Sequence, residues 1–322
     1  MVQGQKTIRI SCLGTPSDYG TSLVPLMIQS LGYKIQWVRP VRADLLIYGS
    51  FYDVHAPRMR WLPRTWREKA GQWVDTVEKE LSKRKLPPVT LFHTAENLRH
   101  DHIHADFSIS HDLNILSNRH FRLPYWMEMV DWSHEGLYGN RNPRFGMLLT
   151  LDQMQKPLGR EFLKRQRKAI LLSSHLHEPR ASCLKAVQQY IPVDGFGPYF
   201  DRRIKSHHHS NFLKYDLLKN YAFNLCPENG LFTGYVTEKI PEAFIAGCLP
   251  ITCVDESVSV DFNPEVMINL KPILQQDPSL LVEILDSHTG LTYFADQQLL
   301  LRRPSIEPFR LFMNNILRMV TG

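Results

Sequence analysis

Short apolar runs alternate along the chain with longer segments in which apolar residues recur every three or four positions. The first run has the period of a strand, because Ile8, Ile10 and Cys12 occupy every second position. Such runs alternate with helical patterns throughout, and this order predicts an α/β fold built on parallel sheets. The predicted strands of the first half are Thr7–Leu13, Tyr33–Val38, Leu45–Tyr48, Val89–His93 and Phe107–Ser110, and its predicted helices are Thr21–Leu31 and Arg64–Lys83.

The pattern loosens into Gly, Asn and Pro around Asp131–Arg144 and then resumes as a second set of strand–helix units. Two such halves predict two Rossmann-like domains that face each other across a cleft. We expect a first domain over residues 1–156, a second over 157–305, and a C-terminal helix within 306–322 that packs back on the first. The predicted elements of the second half are strands Ala169–Ser173, Tyr221–Cys226 and Leu249–Val254, helices Leu158–Lys168, Pro179–Tyr190, Lys239–Ala246 and Pro308–Val320, and a glycine-rich turn at Asp194–Gly197.

Composition places the chain among ordinary globular proteins. Of its 322 residues, 43% are hydrophobic and 22% charged, which excludes a disordered chain. The net charge of +6 is compatible with a nucleic acid, an anionic membrane surface or an anionic substrate as partner. The sequence contains no RRM, helix-turn-helix or zinc-knuckle pattern, so we expect no nucleic-acid partner. The densest basic patches, which are typical of solvated helix faces, are Arg58–Arg67, Lys83–Lys85 and Arg160–Lys168.

The cysteines indicate a reducing compartment. Five cysteines cannot all pair, none has CxxC spacing, and several lie in apolar runs as buried free thiols do. The sequence also contains no N-glycosylation sequon, so a cytoplasmic location is favoured. No apolar run approaches the ~18–20 residues that span a bilayer. We therefore expect at most peripheral contact with a membrane.

The residues with the clearest chemistry follow two of the predicted strands. Lys239 lies in the first turn of a predicted helix after a Gly/Asn loop, and Thr237 is expected to cap that helix. Arg180 lies in the first turn of the helix after strand Ala169–Ser173. Helix N-termini at the carboxyl ends of parallel strands bind anions, and a cation at each of two junctions suits a diphosphate. A cation near a helix start is nevertheless more often simply solvated.

Several motifs resemble those of one enzyme family. The run ENGLFTGYVTEKI, followed by A-x-x-x-G-x-x-P-I and DFNP, closely resembles the donor-binding signature of the inverting α1,3/4-fucosyltransferases. Upstream, SSHLHEPRASCLKAV resembles the segment that carries a phosphate-binding arginine in that family. FHTAEN followed by HADFSISHD resembles the segment of the catalytic glutamate, and RLPYW is also similar. The resemblance covers roughly residues 90–265.

The resemblance implies a GT-B fold with an N-terminal acceptor domain and a C-terminal GDP-fucose domain. The implied reaction transfers L-fucose with inversion to a hydroxyl of an N-acetyllactosamine- or lacto-N-biose-like oligosaccharide. The expected hydroxyl is the 3-OH of GlcNAc or glucose, and the 4-OH of GlcNAc stays open. The implied site residues are Glu96 as catalytic base, Arg180 and Lys239 on the diphosphate, Glu238 on the ribose, and Asn229 and Tyr235 on the donor sugar and phosphates.

The resemblance further implies that two fixed cations replace a metal. In agreement, the sequence has no Asp-x-Asp, the carboxylate pair with which many glycosyltransferases hold Mn²⁺. We expect no required cofactor, with Mn²⁺ acting at most as a stimulant of product release. A bacterial enzyme of the cytoplasm and inner-membrane periphery is expected, serving protein glycosylation or lipopolysaccharide biosynthesis. A trimmed eukaryotic relative would belong to the Golgi.

Other interpretations of these residues stay open. The chain could use another nucleotide sugar, or be a non-catalytic α/β protein that binds anions or nucleic acid. The His-x-His pair of His102 and His104 could ligate zinc, although no HExxH or cysteine pair accompanies it. If Glu96 is not the base, His93 and Asp101 are the next candidates.

Overall fold

The computed structural model describes residues 6–52, 79–82, 84, 86–201 and 213–322. Most of the predicted helix Arg64–Lys83 and the basic patch Arg58–Arg67 lie outside these residues. The chain forms two compact units, and the domain boundary predicted after residue 156 lies within the second of them. The first unit comprises Met1–Leu123, Trp132–Asn140 and Ser305–Gly322, and the second comprises Pro124–Asp131 and Arg141–Pro304.

The first unit contains a six-stranded parallel sheet of order β2-β1-β3-β4-β5-β6. Its central strands are largely apolar and mostly buried, as a parallel sheet covered on both faces requires. The strand β6 was not predicted, because three residues with polar ends carry no periodic signal. The strands are β1 Lys6–Leu13, β2 Tyr33–Trp37, β3 Leu45–Gly49, β4 Val89–His93, β5 Phe107–Ser110 and β6 His120–Arg122, and the first helix is α1 Leu23–Ser30.

The strand order of the first unit reverses between β1 and β3. At this point two glycines, Gly14 and Gly49, allow the backbone at the carboxyl ends of these strands to approach closely. A Cβ on Gly49 would lie 2.4 Å from the carbonyl oxygen of Gly14, and a Cβ on Gly14 would lie 2.0 Å from the backbone nitrogen of Tyr52. Gly14 also has a positive φ of 68°. Only glycine fits this close backbone contact.

The second unit contains a five-stranded parallel sheet of order β11-β10-β9-β7-β8. Two parallel sheets with helices confirm the predicted α/β class. The strands are β7 Ala169–Leu172, β8 Val193–Phe196, β9 Phe223–Leu225, β10 Leu249–Thr252 and β11 Ile268–Asn269. The helices are α2 Leu151–Met154, α3 Glu161–Lys164, α4 Arg180–Val187, α5 Lys214–Leu218, α6 Lys239–Ile245, α7 Leu270–Gln276, α8 Leu280–Asp286 and α9 His288–Ala295.

Two predictions for the second unit are wrong. The predicted helix Leu158–Lys168 is reduced to α3, because Gly159 has a φ of 83° and its N–H bonds to the carbonyl of Ala295 instead of entering a helix. The predicted glycine-rich turn Asp194–Gly197 lies mostly in β8. This strand is at the sheet edge, where a glycine is tolerated.

The C-terminal helix, α10 Glu307–Thr321, belongs to the first unit. Its buried side chains recur at helical spacing, and the ring of Phe309 lies 5.3 Å from that of Phe121 on β6. The ring of Phe312 lies 5.9 Å from that of Phe107 on β5. Arg310 donates a 2.7 Å hydrogen bond to the carbonyl oxygen of Glu135. The last turns of the described chain therefore complete the core of the first unit.

Among residues 6–52, 79–82, 84, 86–201 and 213–322, no helix combines the length and apolar character that a membrane span requires. All five cysteines are free, and all except the half-buried Cys12 are buried.

Truncation of a single ring on α10 should destabilise the protein. Phe309 is fully buried, so Phe309→Ala removes its contacts and leaves a cavity that costs about 3–5 kcal/mol of unfolding free energy. Leu311 on the same helix is 59% exposed, so Leu311→Ala should change the free energy by less than about 0.5 kcal/mol. Urea unfolding followed by circular dichroism measures both, and equal effects of the two substitutions would contradict the packing of α10.

Candidate active site

The sheet of the second unit has one topological switch point. β7 comes first in the chain, β8 lies on one side of it and β9 on the other, so the loops after β7 and β9 leave the sheet in different directions. Ligands of open α/β sheets bind at this point, beyond the carboxyl ends of the strands. The loop after β7 leads to Arg180 at the first residue of α4, and the loop after β9 leads to Lys239 at the first residue of α6. Both cations thus begin the helices that sequence predicts.

Arg180 joins the two loops. Its side chain is largely buried, with 6% of the residue exposed. Nη2 donates a short hydrogen bond to Oδ1 of Asn229 in the loop after β9. Nη1 donates to Oγ of Ser173 at 3.0 Å and to Nε2 of His175 at 3.2 Å, both in the loop after β7. The guanidinium is therefore fixed from both sides of the switch point, which brings Arg180 and Asn229 together as predicted site residues.

Lys239 lies beside a carboxylate that could not be singled out from the sequence. Its Nζ donates to Oε2 of Glu228 at 2.6 Å and to Oγ1 of Thr237 at 2.7 Å. Glu228 is fully buried, and it also accepts the backbone N–H and the hydroxyl of Thr237 at 2.8 Å. Burial lowers the pKa of Lys239, but the negative charges of Glu228 and Glu238 together raise it by more than burial lowers it. The pKa therefore lies above its usual value and the ammonium is charged.

This arrangement overturns the predicted role of Thr237. The residue before α6 is Glu238, and the hydroxyl of Thr237 donates to Glu228 instead of capping the helix. A buried carboxylate without hydrogen-bond donors is more costly than a helix end that can find other partners, so the hydroxyl of Thr237 donates to Glu228. An ammonium has three donors, and two of those on Lys239 are occupied by Glu228 and Thr237.

The other predicted donor-binding residues surround the same helix start. Glu238 immediately precedes α6; burial raises its pKa, but Lys239 and Lys214 lower it more, so the pKa lies below its usual range and the side chain is a carboxylate. Such a carboxylate accepts hydrogen bonds from hydroxyls. Tyr235 is 3% exposed and interacts electrostatically with Arg180. The structure thus gathers five predicted residues at one switch point, Arg180, Asn229, Tyr235, Glu238 and Lys239, while their roles stay predictions.

A second buried ion pair lies one helical turn further along α6. Oε2 of Glu242 accepts a short hydrogen bond from Nζ of Lys214, and Oε1 accepts from Nδ2 of Asn142 at 2.9 Å. Burial lowers the pKa of Lys214, but Glu242 and Glu238 raise it more. Lys214 therefore keeps a positive charge near the carboxylates of Glu238 and Glu242. In the sequence, Glu242 is indistinguishable from a solvated helix residue, so this pair could not be predicted.

Glu96 lies in the first unit, in the loop after β4. Its backbone N–H donates to Oγ1 of Thr94 at 3.1 Å, and its side chain is exposed. Nδ1 of His93, at the end of the same strand, is hydrogen-bonded to the hydroxyl of Tyr19 at 2.8 Å. Burial lowers the pKa of His93 to about 4, which leaves the imidazole neutral at pH 7. The carboxylate of Glu96 is thus accessible to solvent, and its role as base stays a prediction.

The loop after Glu96 is held by a buried aspartate. Asp112 accepts the backbone N–H of His100 at 2.5 Å and pairs with the guanidinium of Arg99 at 2.9 Å. The residues that follow His100 line a half-open cavity of about 200 Å³ with the start of β5 and the residues before β6. In the part of the chain that the structure describes, no three His, Cys, Asp or Glu side chains are grouped closely enough to hold a metal ion.

A known protein family matches the part of the chain that contains Arg180 and Lys239. Residues 162–271 match the family described as Glycosyltransferase family 10 (fucosyltransferase) C-term. The chain is 26% identical over 221 residues to alpha-(1,3)-fucosyltransferase FucT of Helicobacter pylori, a match that covers 62% of this chain and 44% of that protein. The chain therefore spans less than half the length of this curated relative.

Solved structures share the fold. A crystal structure of α1,3-fucosyltransferase with GDP-fucose is 18% identical with a TM-score of 0.64, covering 98% of this chain and 92% of that one. The structure described as α1,3-fucosyltransferase with GDP has a TM-score of 0.67 at 18% identity, covering 99% and 92%. At this identity the likeness concerns the fold. The chain thus has the two-sheet, GT-B-like fold of the solved α1,3-fucosyltransferases, and its residues 162–271 are similar to the C-terminal domain of glycosyltransferase family 10.

Proposed function

We propose that this protein is an inverting α1,3-fucosyltransferase that transfers L-fucose from GDP-fucose to a hydroxyl of an oligosaccharide acceptor. The observation that carries the proposal is the position of Arg180 and Lys239, each at the first residue of a helix that follows a strand at the switch point of the second sheet. The Helicobacter pylori relative is named an alpha-(1,3)-fucosyltransferase, and one structure with this fold is described with GDP-fucose. Both support a fucosyl donor.

The donor diphosphate is proposed to bind between the two helix starts. Arg180 offers a planar, fixed guanidinium, and the third donor of the Lys239 ammonium is directed by its bonds to Glu228 and Thr237. As the glycosidic bond breaks, negative charge grows on the departing GDP, and fixed cations stabilise this charge without reorganising. The Glu238 carboxylate at the same helix start is suited to accept hydrogen bonds from the ribose hydroxyls.

Glu96 is proposed as the general base. An inverting transfer requires a group that takes the proton of the acceptor hydroxyl while the new C–O bond forms on the face opposite the leaving phosphate. An exposed carboxylate in the loop after β4 can do this, whereas His93 at the end of β4 is buried and already bonded to Tyr19. The 3-OH of GlcNAc or glucose is the proposed acceptor group, in an N-acetyllactosamine- or lacto-N-biose-like oligosaccharide.

The choice of nucleotide tests the donor. GDP at about 100 times its dissociation constant should stabilise the protein by about 2.7 kcal/mol, because it binds the folded state alone. Thermal unfolding with GDP, UDP and CDP at equal concentration provides the comparison. A larger increase in melting temperature with UDP than with GDP would favour a different sugar nucleotide and remove the fucosyl proposal.

Metal dependence tests the source of the positive charge. Since Arg180 and Lys239 are proposed to stabilise the departing GDP, transfer should continue in excess EDTA at close to the untreated rate. Added Mn²⁺ should at most accelerate the release of GDP. Loss of transfer on chelation, with recovery on addition of Zn²⁺ or Mn²⁺, would show that a bound metal supplies the charge instead.

Two substitutions separate the donor site from the base. Arg180→Ala should weaken GDP binding and slow transfer by about 10²–10³, because its charge meets phosphate in both the ground state and the transition state. Glu96→Gln keeps the shape but cannot accept a proton, so GDP affinity should change less than about threefold while transfer falls by about 10²–10⁴. Calorimetry with GDP and initial rates at saturating donor provide both numbers.

Arg180→Lys serves as the matched control for the donor site, because it keeps the charge and loses the planar set of donors. It should fall between the parent and Arg180→Ala in both measurements, with thermal unfolding confirming that each variant is folded. If Glu96→Gln retains more than a tenth of the parent rate, Glu96 is not the base.

A further inference from the structure

The ring of His175 lies between two hydrogen-bond donors. Its Nε2 is 3.2 Å from Nη1 of Arg180, which can only donate, and its Nδ1 is 3.3 Å from the backbone nitrogen of His177, which also donates. A neutral imidazole can accept at one nitrogen, and a protonated imidazole can accept at neither. The guanidinium is the stronger donor because it is charged. The tautomer that serves Arg180 therefore carries its proton on Nδ1.

Two other side chains that accept hydrogen bonds from Arg180 do not titrate. Oγ of Ser173 accepts from Nη1 of Arg180 at 3.0 Å and donates to the carbonyl oxygen of His175 at 2.6 Å. Asn229 accepts from Nη2 on the opposite side. Of the groups that hold the guanidinium, the His175 imidazole is thus the one whose ability to accept a hydrogen bond is lost on protonation as the pH falls below neutrality.

We propose that His175 is a positioning residue whose neutral imidazole holds the Arg180 guanidinium for the donor diphosphate, so that donor binding weakens when the imidazole takes up a proton. This inference rests on the proposed function, since it assigns Arg180 to the diphosphate. It adds His175 to the proposed donor-site residues, although His175 is assigned no contact with the diphosphate and is not part of α4.

The charged groups that act on His175 all oppose its protonation. Burial lowers the pKa of His175 below its usual 6.5, and Arg180, His177 and Lys239 lower it further, each as a positive charge or a second imidazole. The ring of His177 lies 4.6 Å from that of His175. In the folded protein the imidazole is therefore neutral at pH 7, and it becomes charged as the pH falls through this lowered pKa.

The direction of the pH effect follows from this. Above pH 7 the imidazole accepts from Arg180 and donor affinity is at its maximum. As the pH falls through the lowered pKa of His175, the Nε2 acceptor is lost and a cation is placed beside Arg180, so the guanidinium leaves its position. A His175 that instead contributed its charge to the diphosphate would make donor binding stronger at low pH, which is the opposite sign.

The test is the pH dependence of GDP-fucose affinity between pH 5 and 8, measured by calorimetry. GDP-fucose is the probe because both of its phosphates are esterified and neither titrates in this range, unlike the terminal phosphate of GDP. The parent protein should lose about tenfold in affinity on acidification, the effect of one hydrogen bond to a charged group. His175→Gln places a non-titrating oxygen acceptor near the position of Nε2, so its affinity at pH 8 should match the parent and its pH dependence should be abolished.

His177→Gln is the matched control, because it removes the neighbouring imidazole and leaves the acceptor on His175. It should lose affinity on acidification as the parent does, but at a somewhat higher pH, because His177 lowers the pKa of His175. A purely structural role for His175 would change the affinity of His175→Gln by the same factor at every pH, and that result would overturn the inference. So would a pH profile of His175→Gln that is the same as the parent's, or tighter binding by the parent at low pH. Absence of GDP-fucose binding at pH 8 in the parent would instead remove the proposed function, and the inference with it.

Discussion

A fully buried carboxylate organises the site, and the surrounding loop depends on it. Glu228 lies just after β9 with no exposed surface, and it accepts hydrogen bonds from Thr237 and Lys239 across the loop that leads to α6. A carboxylate removed from water is costly unless it is paired and hydrogen-bonded, and removal of one partner from such a pair typically destabilises by about 3–5 kcal/mol. Glu228 therefore fixes the loop, the start of α6 and the direction of the Lys239 ammonium together.

The cations of the site differ in how they are held. Lys239 is paired with a buried carboxylate, whereas Arg180 is held by the neutral acceptors Ser173, His175 and Asn229. Its positive charge is consequently less compensated by direct partners. A diphosphate at the switch point would therefore meet Lys239, which is positioned by an anion, and Arg180, which is positioned by neutral dipoles. The site can attract anions without holding two uncompensated charges side by side.

Sequence predicted the parts of this arrangement that depend on local pattern. The apolar runs located β1, β3, β4, β7 and β10, and the first turns of α4 and α6 placed Arg180 and Lys239 correctly. It failed where a contact partner decided the outcome. Gly159 left the helical path because its N–H bonds to Ala295, and Thr237 lost its capping role to Glu228. Glu242 and His175 carry no signal in their neighbours, because their partners Lys214 and Arg180 become relevant only once the chain is folded.

The return of α10 to the first unit has a consequence for the order of synthesis. Phe309 and Phe312 belong to the core beside β5 and β6, yet residues 141–304 of the second unit are translated before them. At about 5–20 residues per second this interval is on the order of ten seconds or more. During it, the nascent first sheet lacks the helix that covers its aromatic face. The first unit to leave the ribosome is therefore the last to complete its core, and its aromatic face stays uncovered during that interval.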